Sequence, residues 1–117
     1  MGRPRDWAKG FDSSAPCSEL VPVTSIGHPS EGAIWLDVNG IEKQRGDLRD
    51  LIWPVAGVIA YASHGVTLSA GDIIFTGAPA GVGALQAGDV VRGGVDGITT
   101  IQFLVGALPR DKSALKM

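Results

Sequence analysis

The chain has 117 residues, an apolar share of 44% and a formal net charge of -2. This length suits one compact domain with a core and is too short for two domains of ordinary size. Its ten basic residues are scattered, so a nucleic-acid partner is not expected, because such a partner normally requires a clustered basic face. A single cysteine and the absence of an apolar run of about 20 residues exclude an intramolecular disulfide and a membrane span, and a reducing cytoplasm fits best.

The first predicted elements are extended ones. Residues 1–30 carry many glycines and prolines, which predicts a loop-rich leading segment with short extended pieces. Apolar and polar residues then alternate over Ala33–Val38, as in a half-buried strand. Asn39 and Gly40 follow, and this pair predicts a tight hairpin because both turn residues must tolerate positive φ. Ile41–Gln44 is the predicted returning strand.

One central helix is predicted within Asp47–Gly65. Apolar residues over 51–62 recur at helical spacing and keep one face apolar. Asp47 and Asp50 are explained as helix caps. Pro54 is tolerated only in the first turn of a helix, so the helix is expected to begin close to Asp50.

Further strands and turns are predicted downstream of the helix. Asp72–Thr76 contains a short continuous apolar run, which is typical of a buried strand. A loop is expected over Gly77–Gly83, and glycine-rich turns separate further strands at Val90–Val91 and Ile98–Val105. The charged end of the chain, residues 109–117, is expected to be a frayed tail.

These elements predict a fold that is mainly β with one central helix (α+β). One helix is too few for a doubly wound parallel sheet, since parallel pairing needs crossover helices. The whole chain, residues 1–117, is interpreted as a single domain. In that domain residues 1–30 lead in, residues 31–108 form the sheet and helix, and residues 109–117 form the tail.

Few side chains suggest chemistry by type alone. Lys9 lies near aromatic residues and could hold a carboxylate or stabilise an enolate, or it could be a surface lysine with its stem on a ring. His28 and His64 have no acid or serine at catalytic spacing and are interpreted as turn residues. Cys17 has no nearby histidine to generate a thiolate and is interpreted as inert.

The Gly77–Gly83 loop is the other candidate feature. It offers backbone donors after a predicted strand, but it lacks the Lys and Ser or Thr of a nucleotide-binding loop. A sharp loop at a strand end suits contact with a carboxylate or an oxyanion, with the Thr76 hydroxyl close at hand. The acidic residues form no familiar metal-binding pattern, so no metal ligand is assigned.

A series of short motifs covers nearly residues 3 to 105. In order, it consists of Ala8, Lys9, Gly10, Phe11, Asp12; Val38, Asn39, Gly40, Gln44; Asp50, Leu51, Ile52, Ile59, Ala60, Ser63; Thr67, Leu68, Gly71, Asp72, Ile73, Ile74; and Thr76, Gly77, Ala78, Pro79, Ala80, Gly81, Val82, Gly83, Gly88, Asp89. This series resembles the C-terminal half of the fumarylacetoacetate hydrolase (FAH) family. The Gly2–Pro4 and Phe11–Pro16 segments are most similar to its fumarylpyruvate hydrolase branch, with isomerase-like members nearby.

The resemblance implies a fold and a chemistry. It implies a rolled mixed β-sheet, incomplete here on its N-terminal side, and a homodimer or an association with a complementary chain. It also implies an Mg or Mn ion that chelates the α-keto-acid end of the substrate. Family members hydrolyse carbon–carbon bonds of acylpyruvates in aromatic catabolism, or they decarboxylate, hydrate or isomerise related oxo-acids.

The resemblance also implies residue roles. Lys9 matches the family lysine that holds the substrate or stabilises the enolate, and Ser13 falls near a further substrate-contacting position. Thr76 and Gly77 match the loop that closes over the substrate. The family usually has Thr where this chain has Ala78, and the lost hydroxyl could cost about 1.5 to 3 kcal/mol if nothing replaces it.

The metal ligands of the family are not found in this sequence. They are a Glu-x-Glu pair and an Asp upstream of the lysine, and the general-base His and Glu lie further upstream. No Glu-x-Glu pair occurs here, and the ligand role is not transferred to Asp6. The chain alone is therefore expected to bind Mg or Mn no tighter than about millimolar.

Several functions remain open at this point. The first is one part of a metal-dependent hydrolase that cleaves acylpyruvate-type oxo-acids such as fumarylpyruvate. The same family also allows an oxo-acid decarboxylase or isomerase. A catalytically inactive truncated member, acting only as a folding or interaction fragment with exposed apolar patches, is another possibility. The last is a small carboxylate-binding module that uses Lys9 and the loop at Thr76.

Overall fold

The computed structural model describes residues 10–107, which form one four-stranded sheet with two short helices and their connecting loops. The strands are β1 (Ala33–Val38), β2 (Ile41–Asp47), β3 (Val90–Val95) and β4 (Thr99–Leu104), and the helices are α1 (Val23–Ile26) and α2 (Val55–Gly65). The strand order is β2-β1-β3-β4, and every pairing is antiparallel. Over these residues the sheet is open, and the prediction of a mainly β fold is confirmed.

The turn between β1 and β2 is the predicted Asn-Gly hairpin. Val38 pairs with Ile41, so the connection has two residues, Asn39 at φ 53° and Gly40 at φ 80°. Two consecutive left-handed residues match the right-handed twist of the flanking strands. The hairpin prediction is therefore confirmed.

Asn39 also ties this turn to the start of β3. Its Nδ2 donates to Asp89 Oδ1 at 2.9 Å, and its Oδ1 accepts the Val90 N–H at 2.9 Å. The second carboxylate oxygen of Asp89 accepts the Gln86 N–H at 2.9 Å. The Gln86 N–H, then the Asn39 side chain and the Lys43 charge, lower the pKa of Asp89, because all three favour the ionised carboxylate.

A β-bulge interrupts the β1–β2 ladder. Leu36 faces Gln44 and Asp37 faces Glu42, so Lys43 is the extra residue on β2. A bulge bends its strand and changes the direction of the neighbouring groups.

The sheet has one face that the rest of the chain partly covers, here called the loop face. Strand alternation and pairing place these residues on it: Ile34, Leu36, Gln44, Gly46, Val91, Gly93, Val95, Thr99, Ile101 and Phe103. Of the hydrophobic residues in the described range, Val91 is the one that is fully buried, at 1% exposure. The core of the described residues therefore lies on the loop face of the inner strand β3 and is small.

The central helix begins later than predicted. The Asp47 carboxylate accepts the Arg49 N–H at 2.9 Å, and the Asp50 carboxylate accepts the Asp47 N–H at 3.2 Å. These bonds cap a 3-10 turn, and Pro54 is the extended residue before α2, which begins at Val55. A start close to Asp50 was therefore wrong, because the residue before a proline avoids helical geometry.

Two other local predictions were also wrong. No strand forms over Asp72–Thr76, where Ile73 is 59% exposed and Phe75 is 68% exposed. A buried strand needs hydrogen-bonding neighbours, and no other described strand pairs with this run. In the leading segment the short helix α1 lies where only loop and extended pieces were predicted. As predicted, the Gly77–Gly83 segment forms no regular element.

Both helices of the described residues are short. The longer one, α2, has 11 residues, and no helix in this range is long and apolar enough to cross a bilayer.

Candidate functional site

The Gly77–Gly83 loop lies against the loop face at β2. Gln44 Nε2 donates to the Pro79 carbonyl oxygen at 2.8 Å, across 35 residues of sequence. A Cβ placed on Gly46 would lie 3.0 Å from Pro79 Cβ. The proline packs here because β2 presents no side chain at Gly46, while the neighbouring residue on the same face supplies the hydrogen-bond donor.

Gly81 makes the second close approach of this loop. Its φ is +108°, and a Cβ there would collide with the Lys43 carbonyl oxygen and lie 3.1 Å from Gln44 Cγ. Only glycine satisfies both the positive φ and the space. The loop is therefore held against the bulge as well as against the regular part of β2.

A small cavity of about 280 Å³ lies between the loop and the loop face. Most of its lining is apolar, and its polar residues are Ser18, Gln44, Thr99 and Thr100. Few polar groups in an apolar lining are typical of a small-molecule site.

A larger recess of about 640 Å³ adjoins the small cavity, and Gly77, Ala78 and Pro79 line both. The loop, the C-terminal end of β2 and α2 form its walls, and Thr76, Gly77 and Ala78 all line it. Trp53 and Tyr61 also line it, and their rings form an edge-to-face pair with centroids 4.9 Å apart. The recess therefore combines an aromatic wall with a loop whose one polar side chain there is that of Thr76.

Charged side chains in the recess are engaged by their neighbours. The Asp47 carboxylate accepts the Gly32 N–H at 3.2 Å and lies 3.1 Å from Arg49 Nε, besides capping the 3-10 turn. The Arg49 N–H first, and then its guanidinium and the Gly32 N–H, lower the pKa of Asp47, while burial opposes them. Asp47 in turn raises the pKa of Arg49. Arg45 Nε lies 2.6 Å from Glu42 Oε1.

The structure brings together some of the predicted site residues. Thr76, Gly77 and Ala78 share the recess, and within residues 10–107 the Thr76 side chain makes no hydrogen bond. Ser13 is exposed in a turn at φ 59° and lines neither cavity. Lys9 lies outside the described residues, so its role stays a prediction, as do those of the other four.

Gln44 is a residue of the candidate site to which the sequence alone assigned no role. It belongs to the motif series, but its partner Pro79 is distant in sequence, so no local pattern reveals the contact. A polar residue on the apolar side of a predicted strand is the signal that could have revealed it, since a half-buried amide needs a hydrogen-bond partner.

The described residues do not provide a metal site. No three His, Cys, Asp or Glu side chains within residues 10–107 lie close enough together to hold a metal ion. The expectation of weak metal binding by this chain stays a prediction.

Comparison with known proteins settles the family. The fumarylacetoacetate (FAA) hydrolase C-terminal family matches residues 3–105. The chain belongs to this family. A fumarylpyruvate hydrolase from a Ralstonia species is 45% identical over 105 residues, which cover 90% of this chain and 54% of the relative. The mitochondrial oxaloacetate tautomerase FAHD1 of Rattus norvegicus is 40% identical over 104 residues, covering 89% of this chain and 47% of the relative.

A solved structure supports the same fold. Fumarylpyruvate hydrolase from Pseudomonas aeruginosa, crystallised with Mn2+ and pyruvate, superposes with a TM-score of 0.88 at 42% identity. The match covers 92% of this chain and 46% of that one. The chain thus spans about half the length of the relatives it matches, and the family resemblance and the FAH-type fold are confirmed. The relatives named here are enzymes, a hydrolase and a tautomerase.

Proposed function

We propose that this chain forms the substrate-side half of a metal-dependent hydrolase that cleaves a carbon–carbon bond of acylpyruvate-type oxo-acids such as fumarylpyruvate. The observation that carries the proposal is the recess with Thr76, Gly77 and Ala78 along one wall. Similarity to fumarylpyruvate hydrolases over nine-tenths of the chain supports the substrate class.

The proposed reaction adds water to the acyl carbonyl and breaks the bond to the methylene carbon of the pyruvate unit. The electron pair of that bond becomes a pyruvate enolate, which takes up a proton. The Lys9 ammonium stabilises the developing charge on the enolate oxygen. The Thr76 hydroxyl and the N–H groups of Gly77 and Ala78 contact the substrate carboxylate. Mg or Mn would be held by carboxylates outside residues 10–107, since the described residues do not fit it.

The direct test is turnover of an acylpyruvate by the native assembly, with and without Mg2+ or Mn2+, after every chain in that assembly has been identified by mass. Lys9→Ala should lower kcat on the order of 100-fold with little change in the melting temperature. Lys9→Arg should rescue poorly, because a broad planar guanidinium replaces a compact point charge.

Lys43→Ala is the matched control, since it removes an exposed lysine side chain that lines neither cavity and keeps the backbone carbonyl that packs against Gly81. It should leave kcat within about twofold, as expected at ordinary surface sites. Full turnover by a well-folded Lys9→Ala variant would remove Lys9 from the mechanism.

A second candidate is an oxo-acid isomerase or decarboxylase. Similarity to oxaloacetate tautomerases supports it, and tautomerisation also passes through an enolate that Lys9 could stabilise. Parallel assays with oxaloacetate and fumarylpyruvate distinguish these activities. Faster turnover of oxaloacetate would favour the second candidate.

The proposed assembly is a homodimer or a pair with a complementary chain. Large apolar side chains lie exposed around the recess and before the loop, with Ile52 at 95%, Tyr61 at 68% and Phe75 at 68%. Exposed apolar patches of this kind often mark interaction sites. A monomeric native mass without turnover would instead support an inactive interaction fragment.

The isolated chain and the native assembly are expected to differ in their affinity for the metal. Titration of the isolated chain with MnCl2 in a calorimeter should show affinity no tighter than about 1 mM, because a hard divalent cation needs several oxygen ligands. A stoichiometric micromolar site on the isolated chain would contradict the proposal that the ligands lie elsewhere.

A further inference from the structure

We infer that Gln44 is a positioning residue that holds the Gly77–Gly83 loop on β2 and thereby sets the places of Thr76, Gly77 and Ala78 in the recess. The consequence for substrate binding rests on the function proposed above. Gln44 itself lines the small cavity but not the recess, whereas Gly77, Ala78 and Pro79 line both, so the effect of Gln44 on the recess is exerted through the loop.

The first support is the geometry of the Gln44 contact. Its Nε2 donates to the Pro79 carbonyl oxygen at 2.8 Å in a partly buried setting. Pro79 follows Ala78 directly, so the bond fixes the backbone one residue from the proposed substrate contacts. The Gly77–Gly83 loop makes no backbone hydrogen bond to another described element. The amide of Gln44 is thus the polar contact that orients it.

The second support is steric, and it is independent of that hydrogen bond. Pro79 packs over the bare backbone of Gly46, and Gly81 packs against the Lys43 carbonyl. The contacts at Gly46 and Lys43 flank Gln44 in sequence. Two loop residues, Pro79 and Gly81, therefore lie against three residues of β2, Lys43, Gln44 and Gly46, and the hydrogen-bond donor is the middle one of the three.

The third support is the bulge at Lys43. An extra residue leaves the regular ladder, so its carbonyl is free to face the loop rather than β1. Bulges are frequent beside active sites because they redirect side chains. Here the bulge places a backbone oxygen against Gly81 and, one residue later, the amide of Gln44 against Pro79.

The test removes the donor while keeping the volume. In the native assembly with the chain labelled with 15N, Gln44→Met should lower the backbone order parameters of Gly77, Ala78 and residues 80–83 from about 0.85 to below about 0.6. Gln102→Met is the matched control, because Gln102 is an exposed glutamine on β4. It should leave those values unchanged.

A glycine series provides a second, independent variant. Gly81→Ala should displace the loop, since the added Cβ would collide with the Lys43 carbonyl. Gly83→Ala has open space and should not displace it. Gly71→Ala combines a positive φ of +93° with open space, so it reports backbone strain without the collision.

The kinetic readout separates positioning from general stability. Gln44→Met should raise KM for fumarylpyruvate about tenfold, corresponding to one lost hydrogen bond, with kcat within about twofold. Unchanged loop order in Gln44→Met would overturn the inference, and so would disorder of the loop with an unaltered KM. If the native assembly shows no turnover, the proposed function fails, while the order parameters still decide whether Gln44 holds the loop.

Discussion

Strand β1 of the hairpin and the segment from residue 69 to residue 76 are both short and largely apolar, yet only β1 forms a strand. Ile34 and Leu36 in the hairpin are partly buried, whereas Ile73 and Phe75 in the other segment are 59% and 68% exposed. The hairpin has a partner on each side of β1. Apolar content is therefore not sufficient for a strand, which also needs a neighbouring strand for its backbone groups.

The two segments also differ in their local turns. The hairpin turn has two left-handed residues and side-chain bonds from Asn39 to β3. The turn before residue 73 is held by bonds between Ser69 and Asp72 alone. The Asn39 turn is bonded to another part of the sheet and therefore helps to fix which residues of the strands pair. The Ser69–Asp72 turn is bonded only within itself, so it reverses the chain without aligning it with a strand.

The largest expected difference is in the free energy of unfolding lost on substitution of Val91 and of Phe75. Val91→Ala should lower the free energy of unfolding by about 2 kcal/mol, because it removes two buried methyl groups and leaves a cavity. Phe75→Ala should change it by no more than about 0.5 kcal/mol, as at most exposed sites. Urea denaturation of the isolated chain measures both. Equal losses would show that Phe75 is covered in solution.

The next contrast concerns the hairpin turn. Asn39→Ala should lower the free energy of unfolding by about 1 to 2 kcal/mol, because alanine tolerates positive φ poorly and both bonds to β3 are lost. Asn39→Gly keeps the backbone geometry and loses only the bonds, so thermal melts should place it between the wild type and Asn39→Ala. If both variants melted like the wild type, the turn would not determine the register.

The smallest expected effect is a pH dependence from Asp89 and Asp47. The folded pKa of each lies below the ordinary value of 3.8, so the stability that each contributes is present above that value. It is lost as the pH falls through the folded pKa. Melting temperatures between pH 6 and pH 3 should therefore fall less steeply for the Asp47→Asn/Asp89→Asn double variant than for either single variant. A slope equal to that of the wild type would contradict the assignment.

Local patterns were sufficient for some elements. The Asn39-Gly40 turn, the alternation of β1 and the two C-terminal strands were predictable, because two-residue turns and period-two patterns depend on near neighbours. The family could also be recognised from ordered motifs, while the substrate contact of the segment at Thr76 stays a prediction.

Other features depend on distant contacts. The prediction of a strand over residues 72–76 was wrong because a buried strand needs a neighbouring strand, and no described strand pairs with this segment. The start of α2 was wrong because Asp47 and Asp50 cap a 3-10 turn instead of the helix. The bond from Gln44 to Pro79 spans 35 residues, and nothing in either local sequence specifies it. The roles of Lys9 and Ser13, and the division of the chain at residues 30 and 108, stay predictions.

The bulge at Lys43 has a consequence for variation in chain length. Glu42 pairs with Asp37 and Gln44 pairs with Leu36. These two partners are adjacent in β1, although Lys43 separates Glu42 from Gln44 in β2. Deletion of Lys43 would leave every remaining side chain of β2 on its present face, since Glu42 and Gln44 would then alternate as neighbours. The sheet should accept such a deletion, whereas the packing against Gly81 would lose its oxygen. A one-residue deletion at this position would therefore keep the strand pairing of the sheet and change the packing of the Gly77–Gly83 loop.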